Sequence, residues 1–370
     1  MKNVSAFLHR FIVFIVVHWH LMSLFYVLCR TLDTNMMCCH LKKEDADCIS
    51  TIVENFASCE KMLRNPAPRN SIWAIGVLSL LGAVCVLVLR HFVKERNVVQ
   101  VIMLMHLAMA DGLMGVYLIT IAVVDSLWSG DYYLHDFQWR FGLPCQITGA
   151  ISVLSSEVSA MLLTLISADR LKNIVFPYRG RSLTRRKAHI LCVVVWVIGF
   201  IIAFLPISGI HYFNDPLGRP AYYSRSVVCL PLQLSARFPP GWEYSVAIFV
   251  GLNFLLIIFM IAAYVAIFLK SCLSNRRLAH QGTSREIKAR AKSSTAKRET
   301  ALAKRFAFII FTDCACWLPI IVIGIKFLVE KDFYPSDDLP VWMAVFVLPI
   351  NSALNPIIYT LSTPKVRNNT

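Results

Sequence analysis

Seven apolar stretches of membrane-crossing length decide what this chain can fold into. They cover about residues 72–90, 98–124, 143–170, 188–208, 243–269, 304–328 and 340–361. A helix needs roughly 20 mostly apolar residues to cross a bilayer core of ~30 Å. Lipid offers no partners to backbone amides, so a spanning segment of this kind closes its own hydrogen bonds as a helix. The expected fold is an all-α membrane protein, a bundle of seven transmembrane helices over 72–361. A mean hydropathy of +0.59 with only 16% charged residues agrees. An eighth apolar stretch, 11–28, follows Lys2 and Arg10. Residues 1–29 therefore read either as a signal peptide or as an extra hydrophobic helix.

Charge sets the expected orientation. Lys and Arg outnumber Asp and Glu by 37 to 22, a net +15. In a soluble chain that excess would point to nucleic acid. Here the cations lie between apolar runs, and no nucleic-acid partner is expected. The loops that alternate with the spans, together with the tail 362–370, carry twenty-two basic residues against Glu95, Glu286 and Glu299. The opposite loops carry six basic and eight acidic residues. Positive charge favours the cytoplasmic side, which places the N-terminus outside and the tail inside.

The third run acts as a ruler. From Cys145 to Arg170 is 25 residues, ~37 Å as a helix, so the two lie at opposite membrane faces. Cys229 is the other cysteine of the outer loops that follow the first span, and in an oxidising compartment the pair is expected to bridge. Residues 30–71 form a short outer segment with Cys38, Cys39, Cys48 and Cys59, whose three pairings remain open. At the inner face Arg170, beside Asp169, is either a snorkelling anchor or one half of a latch to Glu299 at the start of the sixth run.

Polar residues interrupt the runs at a cost of several kcal/mol each unless they are paired. Asp111, Glu157, Asp313, Asn351 and Asn355 are of this kind, and intramembrane ionisable groups are functional candidates. "LAMAD" in the second run, "ADR" ending the third, "CWLP" in the sixth and "NPIIY" in the seventh form an ordered set. With these motifs the chain resembles the rhodopsin-like G-protein-coupled receptors. "RETALAKRFAFIIFTDCACWLPI" and "VLPINSALNPIIYTLST" resemble more narrowly the leucine-rich-repeat hormone receptors, in their relaxin-receptor-like branch. "CEKMLRN" before the first span is similar to that group's hinge.

The resemblance implies roles. Asp111, Ser159, Asn351 and Asn355 would form a buried polar pocket that holds water and, in many members, a structural sodium ion; no other cofactor is implied. Asp313, a phenylalanine in most of the wider family, would restrain the resting state by reaching Asn351 or Asn355. Arg170 would meet a heterotrimeric G protein and Glu299 would hold it at rest. Tyr264 and Tyr359 would swing inward on activation, with Trp317, Pro319 and Pro356 at the hinges. The implied outer partner is a peptide or protein hormone. Membrane lipids and a second receptor copy are further expected partners. Ala83 replaces an asparagine usual in the family, and residues 30–71 hold no leucine-rich repeat. A truncated receptor acting as a dimer partner is therefore the alternative reading. A transporter is a distant third, without inverted repeats. No enzyme motif of the G-x-S-x-G or H-E-x-x-H kind appears in the sequence, so an enzyme is not expected.

Overall fold

The computed structural model describes residues 39, 57–92, 97–176, 183–231, 240–281, 294–330 and 342–361; the side chains of 274–281, 294–306, 343–344 and 359–361 are outside the description. Two compact units are present, one of 1–64 with 125–138, the other of 65–124 with 139–370. The expected segments 1–29 and 362–370 lie outside the described residues, as do Cys38 and Cys48.

In the larger unit the seven runs become helices. They are α1 (Pro66–Phe92), α2 (Val98–Leu127), α3 (Leu143–Val175) and α4 (Arg185–Phe204). Then comes α5, built of Trp242–Ser245, a π-helical stretch Val246–Leu252 and Asn253–Gln281. Next is α6 (Ser294–Val329), and last α7, a π-helical turn Met343–Val347 followed by Leu348–Leu361. Six of these are long and apolar enough to cross a membrane; the seventh is shorter in its apolar part, Val345–Ile358, among the described residues.

Helix α3 is the central rod. It packs on α4, α5 and α6, while α7 packs on α1 and α6. Within its apolar window α3 is 72% buried, against 22% for α4. Lipid tails are as apolar as leucine, so close helix contact depends on small residues rather than on hydrophobic drive. Gly115 on α2 faces the carbonyl of Gly76 on α1, and an added Cβ would lie 2.9 Å from that oxygen. Gly82 on α1 leaves room for Pro356 on α7 in the same way. Ala83, where the resemblance implies asparagine, is buried and faces Gly112.

A bridge joins Cys145, at the start of α3, to Cys229. The loop around Cys229 is pinned from three sides. The Tyr117 hydroxyl donates to Val228 O, Trp139 Nε1 donates to Val227 O, and the Tyr223 hydroxyl donates to Ala203 O. Cys229 itself holds a left-handed backbone, φ 58°, which costs a non-glycine residue about 1–2 kcal/mol.

In the smaller unit Cys39 pairs with Cys59. The segment before α1 is knitted in by three long-range bonds. Leu63 N–H donates to Asp125 Oδ1 (3.0 Å), Gly130 N–H to Glu60 O (2.7 Å) and Tyr133 N–H to Cys59 O (3.0 Å). Asp125 and Arg140, two of the charges counted among the loops opposite the basic ones, lie in the last turn of α2 and in the short helix Tyr132–Phe141. Both are buried.

Candidate functional site

The polar residues that interrupt α2, α3, α6 and α7 turn inward and meet. Asp111 is fully buried on α2. Its Oδ1 accepts from Ser159 Oγ on α3 (3.2 Å) and from Asn355 Nδ2 on α7 (3.3 Å). One residue earlier, Ala110 O accepts from Ser155 Oγ at 2.7 Å, which fastens α2 to α3 at the same level. Asn351, expected in the same pocket, is one turn away on α7, and its Nδ2 donates to Asp313 Oδ1 on α6 at 2.6 Å. The polar core is thus two bonded groups: Asp111 with Ser159 and Asn355, and Asp313 with Asn351. Asp111 Oδ2, Asp313 Oδ2, Asn351 Oδ1 and Asn355 Oδ1 are buried and accept no hydrogen bond among the described residues. All four are acceptors, so what would satisfy them is a donor or a cation. The donor set therefore fits water or a small hard cation such as sodium.

A second buried pair was not legible in the sequence. Glu157 on α3 accepts from Asn253 Nδ2 on α5 at 3.0 Å and 3.3 Å. Each residue stands alone as a polar interruption of an apolar run, the signal that singled out Glu157; their pairing spans 96 positions. Trp317 is buried on α6 near Phe249, ring centres 6.3 Å apart. Pro319 and Pro356 lie inside α6 and α7, where each removes a backbone hydrogen bond and permits a kink. Trp196 on α4 donates from Nε1 to His106 Nδ1 on α2 (3.2 Å).

At the other end of α3, Arg170 is 2% exposed. Its Nη2 lies 2.7 Å from Asp169 Oδ2, and Asn173 Nδ2 donates to Asp169 Oδ1 at 3.1 Å. Asp169 therefore spans two neighbours and orients the guanidinium. The Tyr264 hydroxyl on α5 is buried without a hydrogen-bond partner among the described residues. The side chains of Glu299 on α6 and Tyr359 on α7 lie outside the described residues, and with them the latch to Arg170.

Residues 82–359 match the model of the 7 transmembrane receptor (rhodopsin family). The chain belongs to this family. It is a multi-pass protein of the plasma membrane, and the family is one of receptors. It is 38% identical to the G-protein coupled receptor GRL101 of Lymnaea stagnalis over 90% of this chain and 28% of that protein. It is 35% identical to relaxin receptor 1 of Rattus norvegicus, over 84% of this chain and 38% of that one. The chain thus spans about a third of the length of these relatives. The crystal structure of squid rhodopsin shares the fold, with a TM-score of 0.61 at 21% identity over 82% of this chain and 78% of the other. The receptor family and its hormone-receptor branch were legible from the motifs; the similarity falls on the transmembrane region.

Proposed function

We propose that this rhodopsin-family chain transmits an extracellular peptide or protein hormone signal to a heterotrimeric G protein by rearranging α3, α5, α6 and α7. One observation carries the reading. Four helices are joined through buried carboxylate and amide groups that each leave an acceptor open. Lipid penalises such groups unless they are paired. A network with spare acceptors has more than one satisfied arrangement, and a ligand acts by favouring one of them. In the resting arrangement Asn351 holds Asp313 and so ties α7 to α6 just below Trp317. Releasing that bond frees α6 to pivot at Pro319. The inner end of α6 then moves from Arg170, breaks its pairing with Glu299 and opens a cavity for the G protein.

The N-terminus lies outside in this reading, supported by the basic residues of the alternate loops and by the bridged Cys145 and Cys229 at the opposite face. A sodium ion between Asp111, Asn355 and Asn351 would satisfy open acceptors and hold the resting state.

The test needs no ligand. The chain is expressed at matched surface level, and basal nucleotide exchange on G protein is measured. Asp313→Ala raises the basal rate, and adding Arg170→Ala abolishes the increase. Unchanged basal exchange in Asp313→Ala defeats the resting-state role of the Asn351 bond; an increase that survives Arg170→Ala defeats the coupling role of Arg170.

A further inference from the structure

Over Val246–Leu252 the backbone of α5 leaves the α register for a π-helical one. Helix α5 contains no proline, so a common cause of a broken ladder is missing. A π turn carries an inserted residue and is rare, and it occurs most often at functional sites. Here a specific holder is present. The Asn253 backbone N–H is directed at Ile248 O, five residues back, and its side-chain Nδ2 donates to the same carbonyl at 3.2 Å. The same Nδ2 reaches both carboxylate oxygens of Glu157 on α3. Glu157 and Asn253 are 0% and 1% exposed. The π stretch in turn touches α6 at two places. Phe249 lies against Trp317, and Gly324 leaves the space that Val250 fills.

We propose that the Glu157–Asn253 pair is a pin that holds α5 in its π register, and that withdrawal of the pin lets the stretch relax to an α-helix. Relaxation takes the inserted residue into the α ladder, which turns the part of α5 that precedes it by about 100° and moves it by about 1.5 Å along the axis. Phe249 then leaves Trp317, and Val250 leaves the groove at Gly324. A shift of Glu157 on α3 is thereby passed to α6 as a change of register in α5. This use of the pin rests on the receptor reading above, but the geometry is tested without any signal.

A Cβ added at Gly324 lies 3.6 Å from the Cβ of Val250, within the span of about 3.5–4.5 Å that a disulfide requires. In membranes holding the full chain, Val250→Cys with Gly324→Cys is expected to cross-link under mild oxidation. Adding Asn253→Leu removes the cross-link. Glu157→Leu, which takes away the acceptor instead, is expected to remove it as well. Glu157→Gln keeps an acceptor for Asn253 and retains it. Undiminished cross-linking in Asn253→Leu or in Glu157→Leu overturns the pin, as does its loss in Glu157→Gln at normal surface level. Should Asn253→Leu fail to reach the surface, Glu157→Leu and Glu157→Gln decide the matter. A protein that cross-links as expected yet never activates a G protein would defeat the receptor reading and leave the pin intact.

Discussion

The stretch 221–231 of the loop and the polar core between α2, α3, α6 and α7 are both largely buried and both carry polar contacts, yet they are built in opposite ways. In the loop, buried donors end on backbone carbonyls. Tyr117, Trp139 and Tyr223 donate to Val228, Val227 and Ala203, and Ser245 Oγ donates to Pro231 O. A carbonyl cannot rotate away without moving the chain, and the Cys145–Cys229 bridge fixes that chain to α3. In the core the bonds run from side chain to side chain, and each amide or carboxylate keeps an acceptor in reserve. Such groups exchange partners by turning one or two torsions. The loop has one satisfied geometry, whereas the open acceptors of the core leave room for the rearrangement proposed above.

The sharpest way to break this contrast is to unfasten the loop. The bridge spans 84 residues; closing a loop near that length contributes roughly 4–5 kcal/mol in the chain-entropy account. Cys229→Ser is therefore expected to lower the melting temperature of the detergent-solubilised protein more than any single core substitution, with surface expression falling in parallel. A melting temperature equal to the parent's would mean that the loop is not the rigid half. A step smaller is Trp139→Phe, which removes the indole donor to Val227 O in a buried place. An unmet buried acceptor costs about 1–3 kcal/mol. Thermal unfolding should register that cost, while basal nucleotide exchange, which the proposed function assigns to the core, stays at the parent level. Raised exchange in Trp139→Phe would show that the two regions are not separate.

How far the sequence reaches differs between the two regions for the same reason. Span length, loop charge and the reach from Cys145 to Arg170 are one-dimensional quantities, so the helices and the bridge to Cys229 were legible. The core residues were legible as a set, because Asp111, Asp313, Asn351 and Asn355 interrupt apolar runs at a cost. Their pairing was not. Asn351 and Asn355 are one turn apart, and only the rotation of α7 sends the first to Asp313 and the second to Asp111. The partner of Glu157 stayed hidden because Asn253 faces it only through the π register of α5, which no proline announces. The short helix Tyr132–Phe141 was missed because ten mixed residues have neither spanning length nor a long apolar face. Leu63 N–H on Asp125 is a contact across 62 positions between a backbone amide and a side chain, and spacing carries no sign of it.

The smallest expected effect lies at the outer edge of the loop itself. Asp215 accepts from Leu217 N–H (3.0 Å), Arg219 N–H (2.8 Å) and Arg219 Nε (2.7 Å), while the Arg219 guanidinium stands over the Phe141 ring, 4.7 Å from its centre. Burial pushes the Asp215 carboxyl up, but the hydrogen bonds and charge of Arg219, with the Leu217 amide, outweigh it and hold the group below the usual carboxylate range. The unfolded chain therefore takes up the proton first as pH falls. The stabilisation is present at neutral pH, declines once the medium drops below about pH 4 and is gone below the folded value. Arg219 is 31% exposed, so solvent screening keeps the contribution within about 1 kcal/mol. Asp215→Asn retains an acceptor for the two amides and removes the charge. Its unfolding profile should lose this acid-side decline and match the parent in the acid limit, with exchange activity unchanged. An equally steep decline in Asp215→Asn would place the acid-sensitive group elsewhere. The bonds to Asp215 are shorter than those to Asp111 in the core, and the expected effect is nonetheless the least of the three, because water stands ready to replace them. Burial without an alternative partner, rather than bond length, is what separates the fastened root of the loop from its rim.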